Sequence, residues 1–224
     1  VNIGFFFVDK GGDDRHYARI MVDSAKACMP KVRVVQFTDQ KTKAVKGVDE
    51  VRRKPSEPMA LLRMRHHAGV TGNWVFVDTD VVFQRSVRKV FDEAGWDIGL
   101  TTRNWEHVSQ AAGFSQRMPF NIGVVFSRAP RFWAEVYRRL LMMPAAQQEW
   151  MGDQEAVGDL VAENAEMRWF QIAHLKGSAY NYPPLIPDKK TEQERLTQAA
   201  IVHYKGAARK PMLLARRDGE RACA

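Results

Sequence analysis

The chain has 224 residues, 45% of them apolar and 27% charged, with a net charge of +8 and an isoelectric point near 9.6. This composition excludes extended disorder, and the length suits one domain, residues 1–224, able to bury a sizeable core. No apolar run reaches about 18 residues, so no membrane-spanning helix is expected. The opening stretch Val1–Val8 is too short for the apolar region of a signal peptide and has no basic flank.

Asn2–Val8 (NIGFFFV) is continuously apolar, as a buried strand should be. Asp13 or Asp14 then caps a helix to about Met29, because Tyr17, Ala18, Met21, Val22 and Ala25 recur at helical spacing, and Pro30 stops it. Val32–Phe37 is a second strand, so the chain opens as a right-handed β-α-β unit. Lys41–Pro58 is charged and reads as loop with a short edge strand. Met59–Ala68 is a helix, Trp74–Asp78 an apolar strand, and Val87–Phe91 a short helix. Asp97–Thr101 and Asn121–Ser127 are further strands, and Pro130 opens a helix to Met142. Asp153–Glu163 is another helix, and Arg168–Ile172 and Ala200–Tyr204 are late strands around a rigid loop at Pro183, Pro184 and Pro187. The class is therefore α/β with a mostly parallel central sheet flanked by helices. Ligands bind such sheets off the carboxyl ends of the strands.

Several chemistries have no motif here. There is no G-x-G-x-x-G after the first strand, no P-loop, no H-E-x-x-H and no G-x-S-x-G. Gly11-Gly12 suits a close backbone approach or a plain turn. Two cysteines, Cys28 and Cys223, are too few for a disulfide framework or a zinc site, which points to a reducing, cytoplasmic compartment.

Asp78-Thr79-Asp80 is the strongest lead. About one D-x-D is expected by chance in a chain of this composition, so position carries the argument. The pair sits at the end of WVFVD and is followed by the apolar Val81-Val82-Phe83. On extended chain, carboxylates at i and i+2 project to one side. An apolar setting makes unpaired carboxylates costly, so a cation is expected between them, unless they are surface acids at a strand end. His203 closes the last apolar strand, and a lone histidine there is commonly structural. Gly206 with Arg209-Lys210 beyond it suits a phosphate grip. His66 and His67 are helix neighbours and cannot both face one site. Asn121 has a donor and an acceptor for sugar hydroxyls, or serves a turn. Asp153 suits an N-cap or a site, and Arg63 on an apolar helix suits an anion or a solvated face.

In this order the segments resemble A-type, nucleotide-sugar-dependent glycosyltransferases, most of all glycosyltransferase family 8. The resemblance rests on ALLRM with Arg63, WVFVDTDVVF, FNIGVVFS, GDQE, NYPP with Asn181, and HYKG…KP, and it covers about residues 1–211. It implies a metal-dependent, retaining transfer of a hexose from a UDP-sugar. Asp78, Asp80 and His203 would hold Mn²⁺ (or Mg²⁺) on the diphosphate. Val8, Arg63, Thr79 and Asn121 would touch the donor, with Asp78. Asp153 and Gln154 would lie beside the reacting carbon, and Gly206 with a basic residue after it would bind phosphate. The chain has one residue more than the family pattern between Gly206 and its Lys-Pro, so either Arg209 or Lys210 takes that role. Beyond the fourth strand it reads Thr101-Thr102-Arg103-Asn104, where relatives often carry an acid that binds the sugar.

The acceptor expected is a saccharide or lipid-linked hydroxyl. The charge adds another: Lys31–Arg65 holds ten Lys/Arg against four Asp/Glu, and the tail from Lys205 is basic. A basic rim made of both would suit a polyanion, such as DNA carrying a hydroxylated base. Two rival functions are a nucleotidyltransferase making a nucleotide-sugar and a non-catalytic nucleic-acid-binding protein. The first wants a Gly-rich basic loop after the first strand, whereas Asp9–Asp14 has one Lys against three Asp.

Overall fold

The computed structural model describes residues 1–102, 118–149, 151–184 and 190–215. A seven-stranded sheet carries most of the chain. Its strands are β1 (Asn2–Phe6), β2 (Arg33–Thr38), β3 (Glu50–Arg53), β4 (Trp74–Val77), β6 (Ile98–Thr102), β7 (Phe120–Ser127) and β8 (Ile172–Leu175), in the order β3-β2-β1-β4-β7-β6-β8. All neighbouring pairs are parallel except those made by β7, which runs antiparallel to both β4 and β6. A second, two-stranded antiparallel sheet joins β5 (Val81–Phe83) to β9 (Ile201–His203).

The apolar runs follow from burial on both faces. Ile3, Phe5, Val34, Val75 and Val77 pack with Met21, Val22 and Ala25 of α1 (Asp14–Cys28). On the other face Val35, Phe37 and Phe76 meet Leu61 and Met64 of α2 (Met59–Ala68) and Trp133 of α3 (Pro130–Leu141). Pro130 occupies the first turn of α3, where its missing N–H is harmless, and Trp133 Nε1 donates to Ser127 Oγ at 2.9 Å.

Two expectations need correction. The late strand is β8, Ile172–Leu175, and not 168–172. Asn164 donates from Nδ2 to Phe170 O (2.9 Å) and accepts from Phe170 N (2.8 Å), which ties this stretch into a turn before strand pairing begins. Helices α4 (Ala145–Glu149), α5 (Gly152–Met167), α6 (Gly177–Tyr180), α7 (Lys190–Gln198) and α8 (Lys210–Ala215) complete the described elements. Of these, α5 runs four residues beyond its expected end at Glu163, and α4, α6, α7 and α8 carry too narrow an apolar stripe to be read from sequence. Cys223, the second cysteine, lies outside the described residues. Among the described residues, no helix is long and apolar enough to cross a membrane.

His66 and His67 both point into the core from α2. His66 Nε2 lies 3.0 Å from Thr38 O, and His67 stacks on Phe76 with ring centroids 3.8 Å apart. Burial is the main force lowering both basicities, to about 4 for His66 and well below the usual histidine value for His67. Both rings are therefore neutral when folded and take protons more readily when unfolded. Their contribution is complete above pH 6.5 and is lost as pH falls, toward about 4 for His66. Each should remove about 1.4 kcal/mol of stability per pH unit across its window. His67→Phe deletes a buried Nδ1 that has no hydrogen-bond partner. Urea unfolding at pH 7, 6 and 5 should show a shallower decline for this variant than for the wild type. Identical slopes would mean that His67 takes up protons equally in the folded and unfolded states.

Candidate active site

The central strand β4 ends at Val77, and Asp78-Thr79-Asp80 turns the chain out of the large sheet into β5. The acids therefore sit in a turn and not on extended chain, which corrects the expected reason for their common side. Backbone bonds pin both ends of the turn: Asp78 N donates to Gly123 O and Tyr204 N donates to Asp80 O, each at 2.8 Å. Antiparallel pairing of β5 with β9 sets Val81 opposite His203. That register delivers the imidazole, 1% exposed, to the acids. His203 Nε2 lies 3.1 Å from Asp80 Oδ1 and 3.7 Å from Asp78 Oδ2.

One ligand atom from each of Asp78, Asp80 and His203 falls within 4.8 Å of the others. Two carboxylate oxygens and one imidazole nitrogen suit Mn²⁺ or Mg²⁺, so the residues present fit the implied metal. Burial pushes the Asp80 carboxyl up, but the adjacent His203 ring and the charge of Lys210 outweigh it and hold it below the ordinary value. Gly123, on β7, explains how the three can meet. A Cβ there would lie 2.3 Å from His203 Cε1 and 2.7 Å from Asp78 Oδ2.

Arg63 reaches the same point from α2. Its Nη2 donates to Ile122 O at 2.9 Å and pairs with Asp78 Oδ1 at 3.0 Å, while Nη1 lies 3.5 Å from Asp153 Oδ2. Asp153 lies in the first turn of α5, whose N-cap is Met151 in a left-handed conformation (φ 64°). Burial raises the Asp153 carboxyl, Arg63 opposes the shift, and Asp78 reinforces it. Asp153 Oδ1 also accepts from Gln154 N at 2.9 Å. Asn121 Oδ1 accepts from Gly123 N at 3.0 Å, so this side chain braces the close approach at Gly123.

These groups surround a cavity of about 270 Å³. Val8, Thr79, Asn121, Gln154 and Lys210 line it together with Arg63, Asp153 and the two acids of the turn. Gly206 and Arg209 are not among its lining residues. Gly206 turns the chain with φ 85°, and Arg209 donates from Nε to Pro184 O and from Nη1 to Lys205 O. Lys210 extends into the cavity, where its Nζ lies 3.3 Å from Asp14 Oδ1 and 4.9 Å from the centre of the Tyr17 ring. Asp14, Glu149 and Lys205 also line the space, though no local motif singles them out. Gly11 and Gly12 form a plain turn with positive φ, closed by Gly11 N donating to Asp9 Oδ1.

Part of the basic cluster of Lys31–Arg65 is engaged elsewhere. Arg33 and Arg52 pair with Glu50, Arg65 with Glu57, and Arg53 donates to Thr42 O. Among the described residues, Arg63 from this cluster and Lys205 and Lys210 from the tail line the cavity. Arg103, Asn104, His107, Pro187 and the tail from 216 onward lie outside the described residues.

A largely parallel sheet, an acid pair off its central strand and a histidine returned by a small second sheet define a transferase of A-type fold that uses nucleotide-sugars. The chain belongs to the nucleotide-diphospho-sugar transferase family, whose profile matches residues 24–207. Compared by sequence with curated proteins, it matches none. Among solved structures it is similar to the galactosyltransferase LgtC in complex with donor and acceptor sugar analogues, with TM-score 0.62 and 14% identity over 93% of this chain and 88% of that one. A glycosyltransferase involved in glycosylating the major capsid of PBCV-1 gives TM-score 0.58 and 16% identity over 96% and 98%. GlyE of Streptococcus pneumoniae gives TM-score 0.57 and 15% identity over 91% of this chain and 54% of that one. These likenesses bear out the expected A-type fold.

Gly123→Ala tests the cluster directly. The added methyl must displace His203 or Asp78, at a cost of about 1–3 kcal/mol of stability. Mn²⁺ titration of the folded variant should show affinity lowered about 10-fold or more. Unchanged affinity would mean that Asp78 and His203 do not hold metal in this geometry.

Proposed function

We propose that this protein is a metal-dependent, retaining glycosyltransferase that moves a hexose from a UDP-sugar to a hydroxyl of a saccharide acceptor. The observation that carries the reading is the convergence of Asp78, Asp80 and His203 on a cavity that also holds Arg63, Asp153 and Gln154. A divalent cation held by the three residues supplies neutralising charge where the diphosphate leaves. The chain's own groups do the rest. Lys210 answers the phosphates, because its ammonium lines the cavity and Arg209 is tied to backbone carbonyls. Val8 and Thr79 border the nucleoside, and Arg63 and Asn121 meet sugar hydroxyls. Phe6, Phe7 and Ile122 form apolar wall that keeps water from the reacting bond.

Asp153 bears on the retaining route. One of its oxygens accepts from Gln154 N and the other faces Arg63. A carboxylate engaged at both oxygens is poorly placed as a nucleophile, which favours front-face attack with Asp153 stabilising positive charge on the sugar. A DNA acceptor draws little support, since Arg33, Arg52 and Arg65 are paired with acids away from the cavity and Arg63 is held by Asp78 and Asp153.

The test is a UDP-sugar panel assayed with and without Mn²⁺, with product configuration read by NMR. An inverted anomer, or turnover independent of divalent metal, would overturn the reading. Asp78→Asn and Asp80→Asn should each lower kcat about 10²–10³-fold while the protein stays folded. Asp153→Asn should cost about 10²-fold if Asp153 acts electrostatically, and a complete loss would favour a covalent route instead. Lys210→Ala should weaken UDP about 10-fold or more by calorimetry. Arg209→Ala should instead reduce thermal stability with little change in affinity.

A further inference from the structure

His203 has two ring nitrogens, and a metal ligand needs an unprotonated one facing the metal. Which nitrogen carries the proton is decided by a buried hydrogen-bond chain on the far side of the ring. His203 Nδ1 lies 2.8 Å from Asn181 Oδ1. Asn181, 4% exposed, follows α6 and donates from Nδ2 to Asn121 O at 2.9 Å and to Thr101 Oγ1 at 2.8 Å. The Thr101 hydroxyl has its own acceptors in Asn121 O (3.0 Å) and Val124 O (3.4 Å).

A peptide carbonyl can only accept. Asn121 O therefore fixes the amide with Nδ2 toward β7 and Oδ1 toward His203. Oδ1 is likewise an acceptor, so Nδ1 must carry hydrogen. The opposite neutral tautomer would set two lone pairs against each other at 2.8 Å in a dry site. Without this bond the carboxylates would favour hydrogen on Nε2, where it would donate to Asp80 and block the ligand position.

We propose that Asn181, oriented by Asn121 O and Thr101, is a positioning residue that locks His203 as the Nδ1–H tautomer and keeps the Nε2 lone pair aimed between Asp78 and Asp80. The inference rests on the metal reading given above. It joins FNIGVVFS and NYPP in one function, since the carbonyl of Asn121 sets Asn181, and Asn181 sets the ring.

The first measurement needs no metal and no activity. The ¹⁵N shifts of the His203 ring in the metal-free wild type, recorded where the ring is neutral, should report Nδ1–H. An Nε2–H ring would overturn the proposal. The second is Asn181→Leu, which removes the acceptor at similar volume. The ring should shift toward Nε2–H, and the Mn²⁺ dissociation constant, followed by the electron paramagnetic resonance of unbound Mn²⁺, should rise about 10–100-fold. A folded variant with the wild-type tautomer and affinity would overturn it. Should Asn181→Leu fail to fold, Thr101→Val keeps the amide and loses one of its anchors. It should shift tautomer and affinity the same way, by a few-fold, and no change in either would count against the chain. A wild type that binds no Mn²⁺ would sink the metal reading itself, while the metal-free spectrum decides the tautomer separately.

Discussion

Two carboxylates held within reach of one another in a partly dry crevice set the terms for everything around them. Asp78 and Asp80 repel, and the surrounding chain answers with two cations and an imidazole. Arg63 comes from α2, His203 from β9, and Lys210 from the tail. The guanidinium also faces Asp153, so a single cation serves two acids on separate elements. Removing it would leave Asp153 buried with no opposing charge, a state that costs several kcal/mol unless the group takes a proton. A divalent ion fits as the remaining counter-charge, since Arg63 is shared between Asp78 and Asp153 and a neutral imidazole adds no charge.

Topology gathers these groups from distant parts of the chain. Asp80 and His203 are separated by 123 positions, yet one ladder between β5 and β9 fixes their distance. The Asp78 end is fixed by β7, whose antiparallel course lets Gly123 O accept from Asp78 N while Gly123 itself leaves room for the imidazole. The small sheet packs on both sides: Val81, Phe83 and Ile201 join the core with α1, and Val82, Val202 and Tyr204 pack with Tyr17 and Leu213. The metal-ligand set is therefore buttressed by core on one side and by the tail helix on the other.

The sequence discloses those parts of this arrangement that depend on local pattern. Continuous apolar runs mark β1, β2 and β4, and helical spacing marks α1, because burial on two faces or one stripe leaves a direct trace in composition. Asp78, Asp80 and His203 stand out because acids and a histidine at the ends of apolar strands are costly without a purpose. The direction of β7 leaves no trace, since strand polarity depends on the connection before it. The roles of Thr101 and Asn181 leave none either. Their importance lies in which atom faces which, and buried amides look like turn residues in a sequence. Gly123 can be noticed within FNIG, but the reason for glycine, an imidazole 2.3 Å from where its Cβ would be, exists only in three dimensions. β8 begins later than the apolar pattern suggests because Asn164 captures the backbone of Phe170, an interaction across six positions that no periodicity reports.

The local structure between Gly206 and Lys210 decides which cation faces the cavity. Residues Ala207–Arg209 coil into a tight 3-10 turn, and Arg209 is sewn to the carbonyls of Pro184 and Lys205. Past that turn Lys210 emerges on the cavity side at the start of α8. Its ammonium is then placed by partners outside the tail, Asp14 and the face of Tyr17, both on α1. The contact with Asp14 is partly exposed, so it contributes little to stability and can be given up at small cost. On the proposed reading, a diphosphate in the cavity would compete with Asp14 for the same charge. The tail thus holds its cation ready on a weak local partner, and a ligand carrying more charge than one carboxylate can claim it without unfolding anything.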